Sequence, residues 1–340
     1  MLMKRRTFIF RSLASLALLL GLEQYVRYKG WFLSGGYGAM NDRKANREYY
    51  RILVLGDPHL PVRERETKDI AMRQRIIQAK EEVIKDINEW QDVEKVAVVG
   101  DIAAQFGTKE EYEAAKTYLA NIQKPLAIVT GNHDYMYADG FSPSGHFIKA
   151  DRDLRARKLQ QFKEQFLLES LYYSYEAGPY HLIFLSPDSL DAPHLTQMSA
   201  EQLGWLEQDL QAHREAPTVI FFHAPLDGTL RSYNKMVNQP DFIAQPAAPL
   251  DSLLRDNQQI KLWVSGHTHT PATNPSYADR SINIYKDTEV LVIHNADMDR
   301  EKIWTNSIYL YPDKIVVRTF NHADKCWEDA LERSLLLACA

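Results

Sequence analysis

Cysteine is nearly absent from this chain: Cys326 and Cys339 are the only two in 340 residues, and both lie near the C-terminus. Thiols so placed build no disulfide framework and no thiolate metal site; one bridge between them in an oxidising compartment is conceivable, and free thiols fit equally. A membrane-length apolar run is missing near the N-terminus, where Ser12 to Leu22 has eleven residues, short of the roughly twenty that span a bilayer as a helix. A net positive charge is lacking beyond the first segment. Lys4, Arg5, Arg6, Arg11, Arg27 and Lys29 against Glu23 give +5 within residues 1–39, so the formal total of −5 leaves −10 on the rest. An acidic body argues against nonspecific nucleic-acid binding. No internal repeat or low-complexity tract stands out, and the about three hundred residues after the first forty suit one large domain.

What the chain does have is a set of short, continuous apolar runs: 51–55, 96–99, 126–129, 218–222 and 261–265. Such runs read as strands buried on both faces. Helical patterns lie between several of them, over Asp69–Glu89, Lys109–Ile122 and Ser199–Gln211, and the alternation predicts an α/β fold. From Ser281 onward the chain reads as β-rich, with strands expected at 282–285, 290–294, 307–311 and 314–320, the last two joined as a hairpin by Pro312-Asp313. Residues 327–337 read as a short amphipathic helix.

A polar cluster closes each buried run: Asp57-Pro58-His59, Gly100-Asp101, Gly131-Asn132-His133-Asp134, His223 and Gly266-His267-Thr268-His269. In α/β sheets ligands gather outside the carboxyl ends of the strands, so clusters spread over more than two hundred positions can meet. Asp57, His59 and His269 would hold one metal, and Asn132, His223 and His267 a second. Asp101 would bridge them, because a shared anion offsets the repulsion of two close cations. Mixed nitrogen and oxygen donors suit manganese, iron or zinc better than magnesium or calcium. Two such metals lower the pKa of a bridging water, so that hydroxide can attack phosphorus in line. His133 is left to protonate the leaving oxygen, with Asp134 to orient it.

The five blocks, in this order, resemble the calcineurin-like metallophosphoesterases, whose pattern runs D-x-H, G-D, G-N-H-[DE], H and G-H-x-H. The resemblance spans roughly Tyr50 to His322. Tyr173–Leu185 with Met198–Leu206 is similar to the branch holding class III cyclic-nucleotide phosphodiesterases. It implies a four-layer α/β/β/α sandwich over residues 50–322, with 323–340 a tail, and a dinuclear site. Protein phosphatases of the family continue the second block as G-D-x-x-D-R-G, whereas Ala104 stands here. Purple acid phosphatases lack a first-block histidine and carry a tyrosine at that second-block place. Both branches are therefore disfavoured.

Tyr135, Tyr137 and Arg231 are weaker candidates for substrate contact. The basic cluster Arg152, Arg155, Arg157 and Lys158 on an expected helix from Asp151 to Leu168 reads as a solvated face. His146, His181, His194, His213, His294 and His322 read as surface or satisfied core residues. Lys4-Arg5-Arg6-Thr7-Phe8-Ile9 before Ser12–Leu22 looks like a twin-arginine signal. The reading is therefore an exported, dinuclear metallophosphoesterase, periplasmic or on the extracytoplasmic face, that meets the twin-arginine export machinery and acts on a small phosphoester. Residues 1–39 are its signal, or a membrane tether if uncleaved. A phosphodiester is slightly favoured over a monoester; the alternative is a noncatalytic scaffold of the same fold that binds a partner protein.

Overall fold

All five apolar runs are strands in the computed structural model, which describes residues 48–64, 69–231 and 236–337. In chain order these form β1 (Tyr50–Leu55), α1 (Ile70–Glu89), β2 (Val93–Val99), α2 (Lys109–Leu119), β3 (Leu126–Val129), the short α3 (Asn132–Tyr135), the hairpin β4 (Tyr137–Phe141) and β5 (Phe147–Lys149), and α4 (Arg152–Phe166). Then come β6 (Tyr173–Ala177), β7 (Tyr180–Phe184), α5 (Ala200–Ala212), β8 (Thr218–Phe221), α6 (Ala247–Asp256), β9 (Ile260–Ser265) and the single turn α7 (Arg280–Asn283). The chain finishes with β10 (Leu291–His294), β11 (Trp304–Leu310), β12 (Lys314–Asn321), β13 (Cys326–Trp327) and β14 (Arg333–Leu336). Helix starts follow their caps: the side chains of Asp69, Asp151 and Ser199 accept from first-turn amides, and Thr108 forms a reciprocal capping box with Glu111.

One sheet runs β13–β12–β11–β1–β2–β3, with β14 also paired to β12. Within it β1, β2 and β3 are parallel, while β11 is antiparallel to both β1 and β12. The other sheet runs β10–β9–β8–β7–β6 and is parallel except for the β6–β7 hairpin. Successive strand residues point to opposite faces, and here each face has its own cover. Leu53 and Leu55 pack with Val83 and Ile87 of α1, Tyr112 and Leu119 of α2, and Phe162 and Phe166 of α4. Ile52 and Val54 face the other sheet, meeting Phe184, Phe221, Val264 and Ile293. That sheet's outer residues, Ile183, Ile220, Phe222 and Trp263, pack on Leu206 and Leu210 of α5 and Leu250 and Leu254 of α6. The result is helix, sheet, sheet, helix, with strands apolar on both faces because both are buried.

Three expectations are corrected. Residues 282–285 do not form a strand: Asp279 caps a helical turn, and the Asn283 carboxamide donates to the carbonyls of Thr229 (3.0 Å) and Ser276 (2.9 Å), which fastens that turn. Only Ile284 keeps a β-bridge, to Leu291. The tail is not an amphipathic helix but two short strands around a single 3-10 turn at Asp329–Leu331, because β12 has an edge to pair and Arg333 has a polar seat beneath it. Its Nη2 donates to Asn306 Oδ1 (2.8 Å) and Thr319 Oγ1 (3.0 Å). The basic cluster on α4 is only partly solvated. Arg155 and Lys158 are buried, Arg155 donating to the carbonyls of Ala150, Leu190 and Ala192, and Lys158 to the Phe106 carbonyl and Asp139.

Candidate metal centre

The five clusters meet where the carboxyl ends of both sheets come together, and the backbone there is unusual. Asp57, His59, Asp101, His267 and His269 all have positive φ, between 42° and 66°. A non-glycine residue in the left-handed region carries a cost that the surroundings must hold in place, and it turns these side chains off the strand line toward a common point. Two glycines permit the approach. A Cβ on Gly131 would lie 2.2 Å from the Asp101 amide nitrogen, and one on Gly266 would lie 2.2 Å from Asp57 Oδ2.

Two groups of donor atoms result, Asp57, His59, Asp101 and His269 in one, and Asp101, His223 and His267 in the other, with Asp101 common to both. In the first, His59 Nδ1 donates to the Ala104 carbonyl (3.1 Å), which leaves Nε2 bare, 3.1 Å from His269 Nε2 and 3.9 Å from Asp101 Oδ2. His269 Nε2 is 3.5 Å from Asp57 Oδ1. In the second, His223 Nδ1 donates to the Val99 carbonyl (2.8 Å), and its Nε2 lies 3.0 Å from Asn132 Oδ1 and 3.3 Å from Asp101 Oδ1. His267 Nε2 donates to the Asp241 carbonyl (2.9 Å), leaving Nδ1 as its donor atom. Spacings of about 3–4 Å are what ligands about 2.0–2.2 Å from one ion show, and carbonyl-fixed imidazole tautomers are the usual support for such ligands. The donor set therefore fits two divalent ions, the first group supplying Asp57, His59 and His269, the second Asn132, His223 and His267, and Asp101 serving both.

Charge is arranged to match. Burial alone would raise the Asp101 pKa, but the imidazoles of His223 and His133 outweigh it and hold the carboxyl well below its usual range. Burial would depress His223, yet Asp101 and then Asp57 push it up to about 9. His267 is pressed down to about 3 by burial and by His223, and His59 is lowered by burial and Arg63.

His133 stands beside the centre with its backbone amide on Asp101 Oδ1 (2.8 Å). Its Nδ1 donates to the Gln105 carbonyl (2.8 Å), so Gln105 and not Asp134 orients the ring. The Asp134 carboxylate instead accepts from the amides of Gly131 (2.7 Å), Ala103 (2.8 Å) and Ile102 (3.3 Å), tying the second block to the third. Burial and then the Asp101 charge raise its pKa to about 7. Tyr137 lines the cavity and its hydroxyl accepts from Asn132 Nδ2 (3.3 Å). Tyr135 is fully buried, its hydroxyl 3.4 Å from the Ser189 carbonyl, and Arg231 is exposed; neither is among the residues lining that cavity.

Of the remaining histidines, His294 and His322 are buried and bonded to the Thr229 carbonyl and Asp86. His181, Asp209 and His213 gather at the amino end of β7, the end away from the metal centre. The two rings are stacked, 3.9 Å between centroids at 19°. Lone pairs lie in the ring plane, so rings stacked in this way do not share one ion.

A supporting network has no signature in the sequence. Arg63 donates to Asp299 Oδ2 (2.9 Å) and Asp297 Oδ2 (3.1 Å) and lies 3.3 Å from His269 Nδ1. Beneath it the buried Lys80 donates to Asp299 Oδ1 and to the carbonyls of His59 and Pro61, each at 2.9 Å. Burial pushes Lys80 down to about 8 against the pull of Asp299. Its partners are remote in sequence and reach it only through the fold.

Two buried sheets whose carboxyl ends present paired donor groups around a shared carboxylate define a metal-dependent hydrolase scaffold. The chain belongs to the calcineurin-like phosphoesterase family, whose model matches residues 50–271. It is 26% identical over 222 residues to a probable cyclic nucleotide phosphodiesterase of Rhodopseudomonas palustris, covering 65% of this chain and 72% of that protein. Among solved structures it is similar to a dimetal phosphatase from Danio rerio, at a TM-score of 0.55 and 13% identity over 86% of this chain and 100% of that one. It is also similar to a purple acid phosphatase from yellow lupin seeds, at 0.56 and 13% over 87% and 56% respectively. At those identities the likeness is one of fold. Membership makes the protein a hydrolase of phosphoric esters, as the five motifs imply.

Proposed function

We propose that the protein is a dinuclear metal-dependent phosphodiesterase acting outside the cytoplasm, with His133 as general acid. The observation that carries this reading is the pair of donor groups sharing Asp101 at the floor of a cavity of about 510 Å³, with His133 in the same floor. Asp57, His59 and His269 with Asp101, and Asn132, His223 and His267 with Asp101, would hold two divalent ions, manganese, iron or zinc, which when bound would supply Lewis-acid charge and bring the pKa of water toward neutrality. The chain's own part is to place charge and protons. Asp101 is anionic, the carbonyls behind His59, His223 and His267 fix their tautomers, and the Gln105 carbonyl accepts from His133 Nδ1, so that Nε2 gives its proton to the leaving oxygen from the doubly protonated ring, a form that burial opposes and the Asp101 charge favours. Similarity to a probable cyclic nucleotide phosphodiesterase supports a diester over a monoester. Rates on a bis-aryl phosphate and a mono-aryl phosphate, with each metal tested separately, decide this point. Faster turnover of the diester is expected; a strict monoesterase would overturn the preference, and no turnover with any metal would overturn the enzyme reading.

Export rests on Lys4-Arg5-Arg6-Thr7-Phe8-Ile9 and the apolar stretch that follows, which lie outside the described residues. No helix of the described residues is long and apolar enough to cross a membrane. Replacing Arg5 and Arg6 by lysine keeps charge but removes the planar guanidinium fork. The variant is expected to accumulate in the cytoplasm as folded enzyme; normal export in cell fractionation would overturn the twin-arginine reading.

A further inference from the structure

The cavity over the metal centre has two unlike surfaces. Its floor is polar, made by Asp101, Asn132, His133, His267 and His269. Its walls are apolar, and they come from segments outside the five motifs. On one side is the β4–β5 hairpin, where the ring of Phe147 packs on Tyr137 (4.5 Å between centroids) and edge-on to His133 (5.2 Å, 76°). On the other side Phe242 stacks on His267 (5.0 Å, 21°), with Met236 and Val237 beside it and Leu195 completing the lining. Both phenylalanines are partly exposed, and Met236 is half exposed, so this wall meets solvent where a ligand would enter.

Hydrolysis at the floor needs only the phosphoryl group, so the walls are free to recognise what the phosphate carries. Apolar side chains left in contact with water at a cavity mouth are stabilised when an apolar ligand group covers them. Aromatic rings add a preference for planar partners, offset-stacked or edge-on. The charge of the lining points the same way. Among the described residues the cavity is lined by no lysine or arginine, whereas Asp101 and Asp241 are present. Anionic groups beyond the phosphoryl would meet no lysine or arginine among those described lining residues, whereas an uncharged ring on a singly charged diester needs none.

Resting on the phosphodiesterase reading, we infer that the cavity selects diesters whose retained ester group, the one that does not leave, is aromatic and is seated between the Phe147 wall and the Phe242 wall. Phe147 and Phe242 are thus specificity residues, while the reacting atoms stay with the floor. In this arrangement the ring group is bound before reaction, and its removal weakens KM more than kcat.

Three diesters that share a nitrophenolate leaving group and differ in the retained group, methyl, cyclohexyl or phenyl, test this with the metal-loaded enzyme. The phenyl ester is expected to show about tenfold higher kcat/KM than the methyl ester, the order of one aromatic stacking contact, and to exceed the cyclohexyl ester as well. Phe147→Leu, which keeps apolar volume and spares the fold, is expected to bring the phenyl-to-cyclohexyl ratio close to one through KM, and Phe242→Leu to lower it. A phenyl ester no better than the cyclohexyl ester in the unaltered protein, or a ratio untouched by both variants, would overturn the inference. Failure to hydrolyse any of the three would instead overturn the phosphodiesterase reading beneath it.

Discussion

The two donor groups share Asp101 but differ in what stands behind them. The second, with Asn132, His223 and His267, is buried throughout, and both its imidazoles are bonded to main-chain carbonyls, of Val99 and Asp241. The first, with Asp57, His59 and His269, opens outward: the His269 side chain is a quarter exposed and meets the Arg63 side chain. Of those two carbonyls Val99 belongs to β2 and Asp241 to a short 3-10 turn, and His59 likewise leans on the Ala104 carbonyl, whereas the Arg63 beside His269 depends on the carboxylates of Asp297 and Asp299. The halves therefore part at His269: every other ligand imidazole is backed by a main-chain carbonyl, and this one by a side-chain ion network open to solvent.

The largest expected effect erases the comparison by removing what the halves share. Asp101→Asn takes away the common negative charge, so metal analysis should find well under two equivalents and turnover should fall by more than about 10²-fold, beyond what loss of a supporting contact does. Retention of both metals at full rate would remove Asp101 from the bridge. A variant that leaves both halves intact comes next. His133→Ala should keep its metals and lose about 10² to 10⁴ in kcat on poor leaving groups, with a smaller loss on a nitrophenolate ester, which departs unaided. Equal losses on both would refute the acid role.

The smallest effect sharpens the comparison through pH. His223 is held up at about 9, so near neutrality it carries a proton that a metal must displace, whereas His59 and His267 lie below the ordinary imidazole value and have none to lose. Affinity for the second half should therefore rise with pH up to about 9, by as much as about tenfold per unit, while the first gains less. Competition with a chromogenic chelator at about pH 6.5, 7.5 and 8.5 reads this. Two equivalents strengthening in parallel would contradict the asymmetry.

The donor side chains were legible in the sequence because each follows a buried strand at once, and a strand end leaves a residue little freedom over where it goes. The layers were legible for a related reason: runs apolar on both faces demand two covers. Asp134 was misread because adjacency to His133 suggested a partnership, whereas the helical turn of α3 points the two side chains apart, one to amides and one to the Gln105 carbonyl. Phe147, Phe242 and the Arg63–Asp297–Asp299 network carry no local pattern, since their partners come from distant segments. The tail failed for want of context. Its residues 333–336 alternate inward and outward in the structure, but short apolar runs fit either period until the edge of β12 is known to be open.

That edge has a consequence for where the molecule can be divided. The segment matching the family model ends at residue 271, yet β1, which leads into Asp57 and His59, lies between β2 and β11 in its sheet. A fragment cut at 271 would contain every candidate ligand and still leave β1 as a bare edge, without the Ile308, Leu310 and Val317 that cover the inter-sheet core. A cut after 322 would keep those residues but strip β14 from β12 and take the Arg333 donor from Asn306 Oδ1 and Thr319 Oγ1, which would keep only each other. The piece that keeps its strand pairing is thus longer than the piece that matches the family. For anyone fusing, trimming or recombining such proteins, the safe boundary is set by strand pairing and not by motif coverage.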